Sequence, residues 1–192
     1  MRKIFLLSIF IIIPIFIIAG KWTQPEIWED GLKKIVYLAP SDFTDLPKSI
    51  IKYLEKNNYK IPQPYFYNPG QEKYNVIKGR FYSPNQYDWA VMCSNEHKSK
   101  VIIFISGSTK KIHILTQFED INGLQGIGND EVGFSLGIEV VGREDILYYY
   151  EAYGGPKPPP IDHDGINFIF YGKASVVYYN YKGKWLELQG AD

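Results

Sequence analysis

The sequence contains a single cysteine, Cys93, so an internal disulfide is excluded and the fold must depend on a packed core. Cys93 lies far from the N-terminus, which also excludes the lipid-bearing cysteine of a lipoprotein signal. It stands in DWAVMCS, among strand-forming residues. A free thiol in such a setting is typical of a small buried side chain, since a reactive thiol needs an accessible, electropositive environment.

The chain also lacks an excess of charge of either sign, with 21 basic and 21 acidic residues. Removal of an N-terminal leader containing Arg2 and Lys3 would leave 19 basic residues against the same 21 acidic ones. No stripe of basic residues stands out along the chain. Nucleic-acid binding is therefore not predicted.

Long apolar runs are absent except at the N-terminus, where residues 4–18 are almost wholly apolar and follow two basic residues. This layout predicts a signal peptide over residues 1–20. An N-terminal anchor that is not cleaved is the alternative, although the run is short of the roughly 20 residues of a membrane span and Pro14 interrupts it. Both readings predict an extracytoplasmic protein (periplasmic, cell-envelope or secreted), and a membrane contact only if the leader is retained.

Four strand-forming segments occupy the centre of the chain and are separated by short polar turns. They are NVIKGRF, YDWAVMCS, KVIIFISG and KKIHILTQ. Connections this short predict antiparallel hairpins, because parallel neighbours need long crossovers. The second and third segments are apolar on both faces, so we expect them to lie centrally in a covered sheet.

Helical patterns lie on both sides of these strands. LPKSIIKYLEKNN carries Leu46, Ile50, Ile51 and Leu54 on one face, with Pro47 in the first turn and Thr44 or Asp45 as a cap. GREDILYYYEAYGG is predicted to be a helix that ends at two glycines, and residues 21–40 carry weaker helical signals.

The remaining segments complete the expected architecture. FSLGIEVVG, INFIFYGKASVVYYNY and KWLELQ read as strands, and the Gly-rich INGLQGIGNDEVG reads as a loop. The sequence predicts one α+β domain over residues 21–192, mainly an antiparallel β-sheet built from hairpins with two or three covering helices.

The segment IDHDGIN offers the clearest candidate for chemistry. Asp162, His163 and Asp164 could act as a general acid or base, which gives a hydrolase hypothesis. An EF-hand is excluded, because its first and last ligand positions fall on Pro160 and Tyr171. No second histidine or cysteine pair completes a zinc site, so neither a metal nor a cofactor is predicted. The alternative is a simple turn in which the Asp side chains bond to the backbone.

Two arrangements of His163 would separate these readings. Catalysis requires His163 in a cleft with a further carboxylate nearby, such as Glu144, Asp130 or Glu131. Burial of the ring against backbone carbonyls would contradict the catalytic hypothesis. GFSLG also matches the nucleophile motif G-x-S-x-G at Ser135, but the residues after it are strand-forming and not helical, so a serine hydrolase is not predicted.

Tyrosines provide the candidate ligand-binding residues. Tyr149, Tyr150 and Tyr153 form a stripe on the predicted third helix. Aromatic rings beside carboxylates suit sugars or peptides, although core packing explains such a stripe equally well. The leading hypothesis is a non-catalytic binding module whose partner is an envelope protein or glycan. The alternatives are a hydrolase that uses Asp162, His163 and Asp164, with or without the assistance of a metal, and a purely structural envelope protein.

Two resemblances add to this reading. VIKGRFYSPNQYDWAVMCSNEHKSKVIIFI resembles the hairpin of FG-GAP-type repeats through Gly79, Phe81, Asp88 and Ala90. Only Asn85 and Asp88 remain of that turn's calcium ligands, so the resemblance implies the hairpin and not the ion.

The second resemblance is broader. LPKSIIKYLEKNNYKIPQP, QYDWAVMCS, YGGPKPPPIDHDGI and KWLELQGAD look like a family of exported bacterial proteins of unknown function. That likeness covers nearly the whole chain after the leader. It implies export and a single domain, and no activity.

Overall fold

The computed structural model describes residues 24–192, and the predicted leader lies outside them. The helices of this part are α1 (Gln24–Lys33), α2 (Lys48–Lys56) and α3 (Arg143–Tyr153). The strands are β1 (Tyr37–Leu38), β2 (Ile61–Pro62), β3 (Val76–Gly79), β4 (Asp88–Asn95), β5 (Lys98–Phe104), β6 (Ile112–Glu119), β7 (Leu124–Gly128), β8 (Glu131–Phe134), β9 (Leu136–Val141), β10 (Gly165–Phe170), β11 (Ala174–Tyr181) and β12 (Lys184–Gln189).

The predicted central strands form one antiparallel sheet in the order β3-β4-β5-β6. Strands β4 and β5 occupy its middle, as the apolar character of both their faces predicts, and their core residues are fully buried. Helix α2 covers one face through Ile50 and Leu54, which pack with Val91, Cys93 and Phe104. Burial raises the pKa of the Cys93 thiol well above its usual range, which keeps it an inert core side chain.

A second antiparallel sheet contains the C-terminal strands in the order β12-β11-β10-β9. Helix α3 lies against it, with Ile146 packed among Val177, Tyr179 and Leu188. A larger apolar cluster draws on both sheets: Ala90 and Ile103 come from the first, and Ile138 and Ile166 from the second. The α+β fold built from antiparallel hairpins is therefore confirmed.

Three local predictions are corrected. The Gly-rich segment is a hairpin, β7–β8, whose turn residues Asn129 and Asp130 have φ of 51° and 56° and so give the strands a tight connection without glycine at those positions. The expected single strand at residues 134–142 is divided at Ser135 into β8 and β9. Helix α2 begins after Pro47, which occupies the N-cap position and offers no side-chain cap.

Within residues 24–192, no helix combines the length and apolar character that a membrane span requires.

Candidate functional site

His163 lies buried just before β10 and against β11, the two inner strands of the second sheet. Its Nδ1 is 2.9 Å from the carbonyl oxygen of Asp164, and its Nε2 is 2.8 Å from the carbonyl oxygen of Asn180. The ring also stacks on Tyr179, with centroids 4.4 Å apart and planes at 10°. Because a carbonyl oxygen only accepts hydrogen bonds, each nitrogen is satisfied there only when it donates an N–H. Neither nitrogen presents a lone pair to a substrate.

The two carboxylates beside His163 have different surroundings. Asp164 accepts the backbone N–H of Arg80 at 2.8 Å and forms an ion pair with its guanidinium at 3.5 Å. Asp162 is 70% exposed and accepts the hydroxyl of Tyr179 at 3.1 Å. These contacts join the segment before β10 to the end of β3 and to β11, so the acidic residues anchor a turn.

One of the carboxylates expected near His163, that of Glu131, instead faces Lys34 at the end of α1. Glu131 is 3.5 Å from the ammonium of Lys34, and Lys34 is 3.2 Å from Asp30 on α1. These groups border cavities between α1 and the β7–β8 hairpin. The burial of His163 against two carbonyls favours the turn, and the hydrolase hypothesis stays a prediction.

Ser135 is fully buried at the junction of β8 and β9. Its hydroxyl donates to the carbonyl of Gly133 at 3.1 Å, and a strand follows it. The G-x-S-x-G match is therefore a structural coincidence, as the sequence predicted.

The tyrosines of α3 do not share one environment. Tyr149 packs against the buried cluster under the helix, and Tyr150 is half-buried. Tyr153 is 43% exposed, and Tyr148 beside it is 60% exposed. Within the stripe, Tyr149 therefore belongs to the core, whereas Tyr153 lies at the surface. The cavities of the described structure are lined by other residues.

In the hairpin that resembles FG-GAP repeats, the Asp88 side chain is bound by groups of the protein itself. The carboxylate is fully buried and accepts the backbone N–H groups of Phe81, Tyr82 and Ser106 at 3.1, 2.8 and 2.8 Å. The amide of Gln86 donates to it at 2.8 Å. Protein donors thus occupy both oxygens, which supports the reading of a hairpin without calcium.

The largest of the described cavities is an open groove of about 650 Å³ between β3, the start of β4, and two connecting segments. Its apolar surface comes from Phe43 and from Trp89, which stands opposite Lys78 in the β3–β4 pairing. The charged and amide groups on its walls are Asp42, Asp45, Gln71, Glu72, Lys73 and Lys78. This region is called the Trp89 groove below.

Two lysines lie over aromatic rings at the Trp89 groove. The ammonium of Lys78 is 5.7 Å from the centre of the Trp89 ring and 5.1 Å from that of Tyr87, which is 61% exposed. The ammonium of Lys73 is 5.7 Å from the ring of Phe43 and bonds to the carbonyl of Asp42. A lysine ammonium group therefore lies over each of these three aromatic rings.

A second polar cluster surrounds Asp120, at the end of β6. The Asp120 side chain is fully buried, and its Oδ2 accepts the hydroxyl of Tyr37 at 2.6 Å and that of Ser94 at 2.5 Å. Nδ1 of His97 is 3.2 Å from the Tyr37 oxygen and 4.0 Å from Oδ2. Burial, and then the contact with Asp120, raise the pKa of Tyr37, so its hydroxyl keeps the proton.

This cluster forms one wall of a cavity of about 300 Å³. The other lining residues are Asn58, Lys60, Asn95 and Glu96. Glu96 and His97 form the β4–β5 turn with φ of 50° and 59°, a conformation that histidine adopts more readily than most residues other than glycine.

Sequence reasoning missed both regions. His97 reads as an exposed residue of a polar turn, and nothing local relates it to Tyr37 or Asp120. The sequence carried no signal for this cluster, because a two-residue turn with positive φ is the ordinary connection of a β-hairpin, as Asn129 and Asp130 show between β7 and β8.

No group of three or more His, Cys, Asp or Glu side chains among residues 24–192 is arranged to hold a metal ion. Comparisons of the chain with protein-family models, curated proteins and solved structures find no match, so the two resemblances remain predictions.

Proposed function

We propose that the protein is an extracytoplasmic binding module that recognises a glycan of the cell envelope in the Trp89 groove. The observation that carries this proposal is that the half-buried Trp89 lines an open groove of about 650 Å³ together with several carboxylates and an amide. Sugar rings present C–H faces that pack on aromatic rings, and their hydroxyls donate to carboxylate and amide oxygens. The predicted leader supports the location.

The charges of the groove favour a neutral glycan. Three carboxylates and two ammonium groups line it, and Lys73 and Lys78 already lie over Phe43 and Trp89. A strongly anionic ligand would face the carboxylates, and a cationic one would compete with the lysines. A sugar hydroxyl can accept from an ammonium and donate to a carboxylate without either penalty.

Binding of soluble envelope oligosaccharides, including peptidoglycan fragments, to the full chain tests the proposal by calorimetry. Trp89→Ala is expected to weaken binding at least about tenfold, which corresponds to ~1.4 kcal/mol. Trp185→Phe is the matched control, because Trp185 stacks on His113, outside the groove. Binding to no oligosaccharide, or unchanged affinity in a folded Trp89→Ala variant, would overturn the proposal.

A second pair of variants covers the case in which Trp89→Ala fails to fold. Asp45 and Glu72 are exposed carboxylates on the groove wall, so Asp45→Asn and Glu72→Gln leave the core intact. Both should weaken oligosaccharide binding while the unfolding temperature stays unchanged. If both variants bind the oligosaccharide as tightly as the wild type, these carboxylates have no role in binding.

A further inference from the structure

The hydrogen bonds around Asp120 fix the proton positions of His97. Tyr37 has one hydroxyl proton and donates it to Asp120 Oδ2 at 2.6 Å. The hydroxyl oxygen of Tyr37 lies 3.2 Å from His97 Nδ1, so this contact is favourable only when Nδ1 carries the proton and donates it. In the neutral ring the lone pair then belongs to Nε2.

Nε2 of His97 is free of protein partners within the described chain, and the side chain is 55% exposed. His97 also lines the cavity of about 300 Å³ that Lys60 and Asn58 border. An oriented imidazole with an accessible lone pair in a cavity of this size is the arrangement that a general base requires.

The buried Asp120 supports the same reading. It is fully enclosed, and its Oδ1 has no hydrogen-bond partner among the described residues. An unpaired oxygen on a buried carboxylate costs stability. Two hydroxyls converge on the other oxygen, Oδ2, and His97 is the nearest basic group to that oxygen in the cluster. A carboxylate in this position stabilises an imidazolium formed during a reaction.

We propose that the cavity is a general-base site for the hydrolysis of small carboxylic esters, with His97 as the catalytic base and Tyr37 and Asp120 as positioning residues. A water molecule gives a proton to His97 Nε2 while its oxygen bonds to the acyl carbon. The carbonyl π electrons move to the carbonyl oxygen, whose negative charge Lys60 stabilises. When the carbonyl re-forms, the ester C–O bond breaks and the alkoxide takes the proton from Nε2, which yields an acid and an alcohol.

Hydrolysis of p-nitrophenyl acetate by the full chain tests the catalytic role. General-base catalysis contributes about 10²- to 10⁴-fold, so His97→Asn should lower kcat at least about a hundredfold. Asparagine tolerates the positive φ at this position, which preserves the turn. His113→Asn is the control and should leave the rate unchanged. A wild-type rate no higher than that of free imidazole at equal concentration, or a His97→Asn variant as active as the wild type, would overturn the proposal.

The positioning role has a readout independent of activity. The ¹⁵N chemical shifts of the neutral His97 ring should show Nδ1 protonated and Nε2 bare in the wild type. Tyr37→Phe removes the acceptor and should shift the ring toward the Nε2–H form, which predominates in free histidine, and should lower kcat with KM unchanged. An Nε2–H ring in the wild type would refute the arrangement.

Discussion

His163 and His97 illustrate two opposite ways of placing an imidazole. His163 stands between two aspartates in the sequence, yet both of its nitrogens face backbone carbonyls and its ring is buried on Tyr179. His97 stands in an ordinary polar turn, yet Tyr37 orients one nitrogen, and the other has no protein partner among residues 24–192. The residue with the more suggestive neighbours in sequence is the one without an available lone pair.

The comparison shows that neighbouring residues in sequence are a poor guide to a catalytic histidine. In IDHDGIN the adjacent side chains point to different partners, Asp164 to Arg80 and Asp162 to Tyr179. The groups that orient His97 come from 60 and 23 positions away, and strand pairing brings them together. Reactivity depends on which nitrogen is free, and that is a property of the folded structure.

The largest expected effect separates the two histidines by stability. His163→Ala removes two hydrogen bonds and a stacked ring from a buried site, so we expect a loss of about 3 kcal/mol, or several degrees in Tm. His97→Asn should change stability by less than about 0.5 kcal/mol, since its ring is mostly exposed. Thermal unfolding followed by circular dichroism measures both. If His163→Ala loses as little stability as His97→Asn is expected to lose, the burial of His163 contributes little to the free energy of unfolding.

The parts of this fold that could be predicted are those set by local pattern. Alternating and continuous apolar runs give the hairpins of β3–β6, and the spacing of Leu46, Ile50 and Leu54 gives the buried face of the segment that covers them. The β7–β8 hairpin was missed because glycines conceal the strand pattern, and because its turn uses Asn129 and Asp130 instead of an Asn-Gly pair.

The candidate sites were not predictable for a different reason. The Trp89 groove joins a connection near residue 44 to another near residue 72, and both are irregular segments without a periodic signal. The Asp120 cluster depends on a two-residue strand, β1, which places the Tyr37 hydroxyl over a carboxylate 83 positions later. Long-range contacts of single side chains leave no trace in a single sequence.

The second prediction concerns the bond that orients His97. Tyr37→Phe removes a donor from buried Asp120, and hydrogen bonds to charged groups contribute about 1.5–3 kcal/mol, so we expect a loss in that range by urea unfolding. In combination with Asp120→Ala the two losses should not add, because each variant removes one partner of the same bond. Additive losses would mean that Tyr37 and Asp120 stabilise the fold independently of each other. The hydrogen bonds that orient His97, and with them its contrast to His163, would then be wrong.

The third prediction separates the two aspartates beside His163. Asp164→Ala leaves the backbone N–H of Arg80 without its acceptor, and we expect a loss of about 1 kcal/mol in unfolding free energy. Asp162→Ala removes a carboxylate that is 70% exposed, and the change should be within measurement error. Asp164→Asn, which keeps an acceptor oxygen, should recover most of the loss. If Asp162→Ala is the more damaging variant, the anchoring role of Asp164 is wrong.

The smallest expected effect comes from His113, a histidine that is partly buried and stacked on Trp185 at 5.6 Å. Burial lowers its pKa from the usual value of 6.5. The unfolded chain therefore binds a proton more readily than the folded one, so stability falls as pH drops through the unfolded pKa and rises again with pH. We expect His113→Phe, which keeps a stacked ring and cannot titrate, to reduce the stability difference between pH 5 and 7 by less than about 1 kcal/mol.

Urea unfolding of the wild type and His113→Phe at both pH values measures this difference, with His97→Asn as a comparison. A difference that is unchanged in His113→Phe would mean that burial of this ring does not disfavour its charged form. A reduced stability difference would show that burial disfavours the charged ring of His113. The surroundings of the three histidines would then differ in kind: burial for His113, two carbonyl partners for His163, and for His97 a tyrosine contact that leaves one nitrogen without a protein partner among residues 24–192. Of these three rings, that of His97 is the one whose tautomer a tyrosine contact sets.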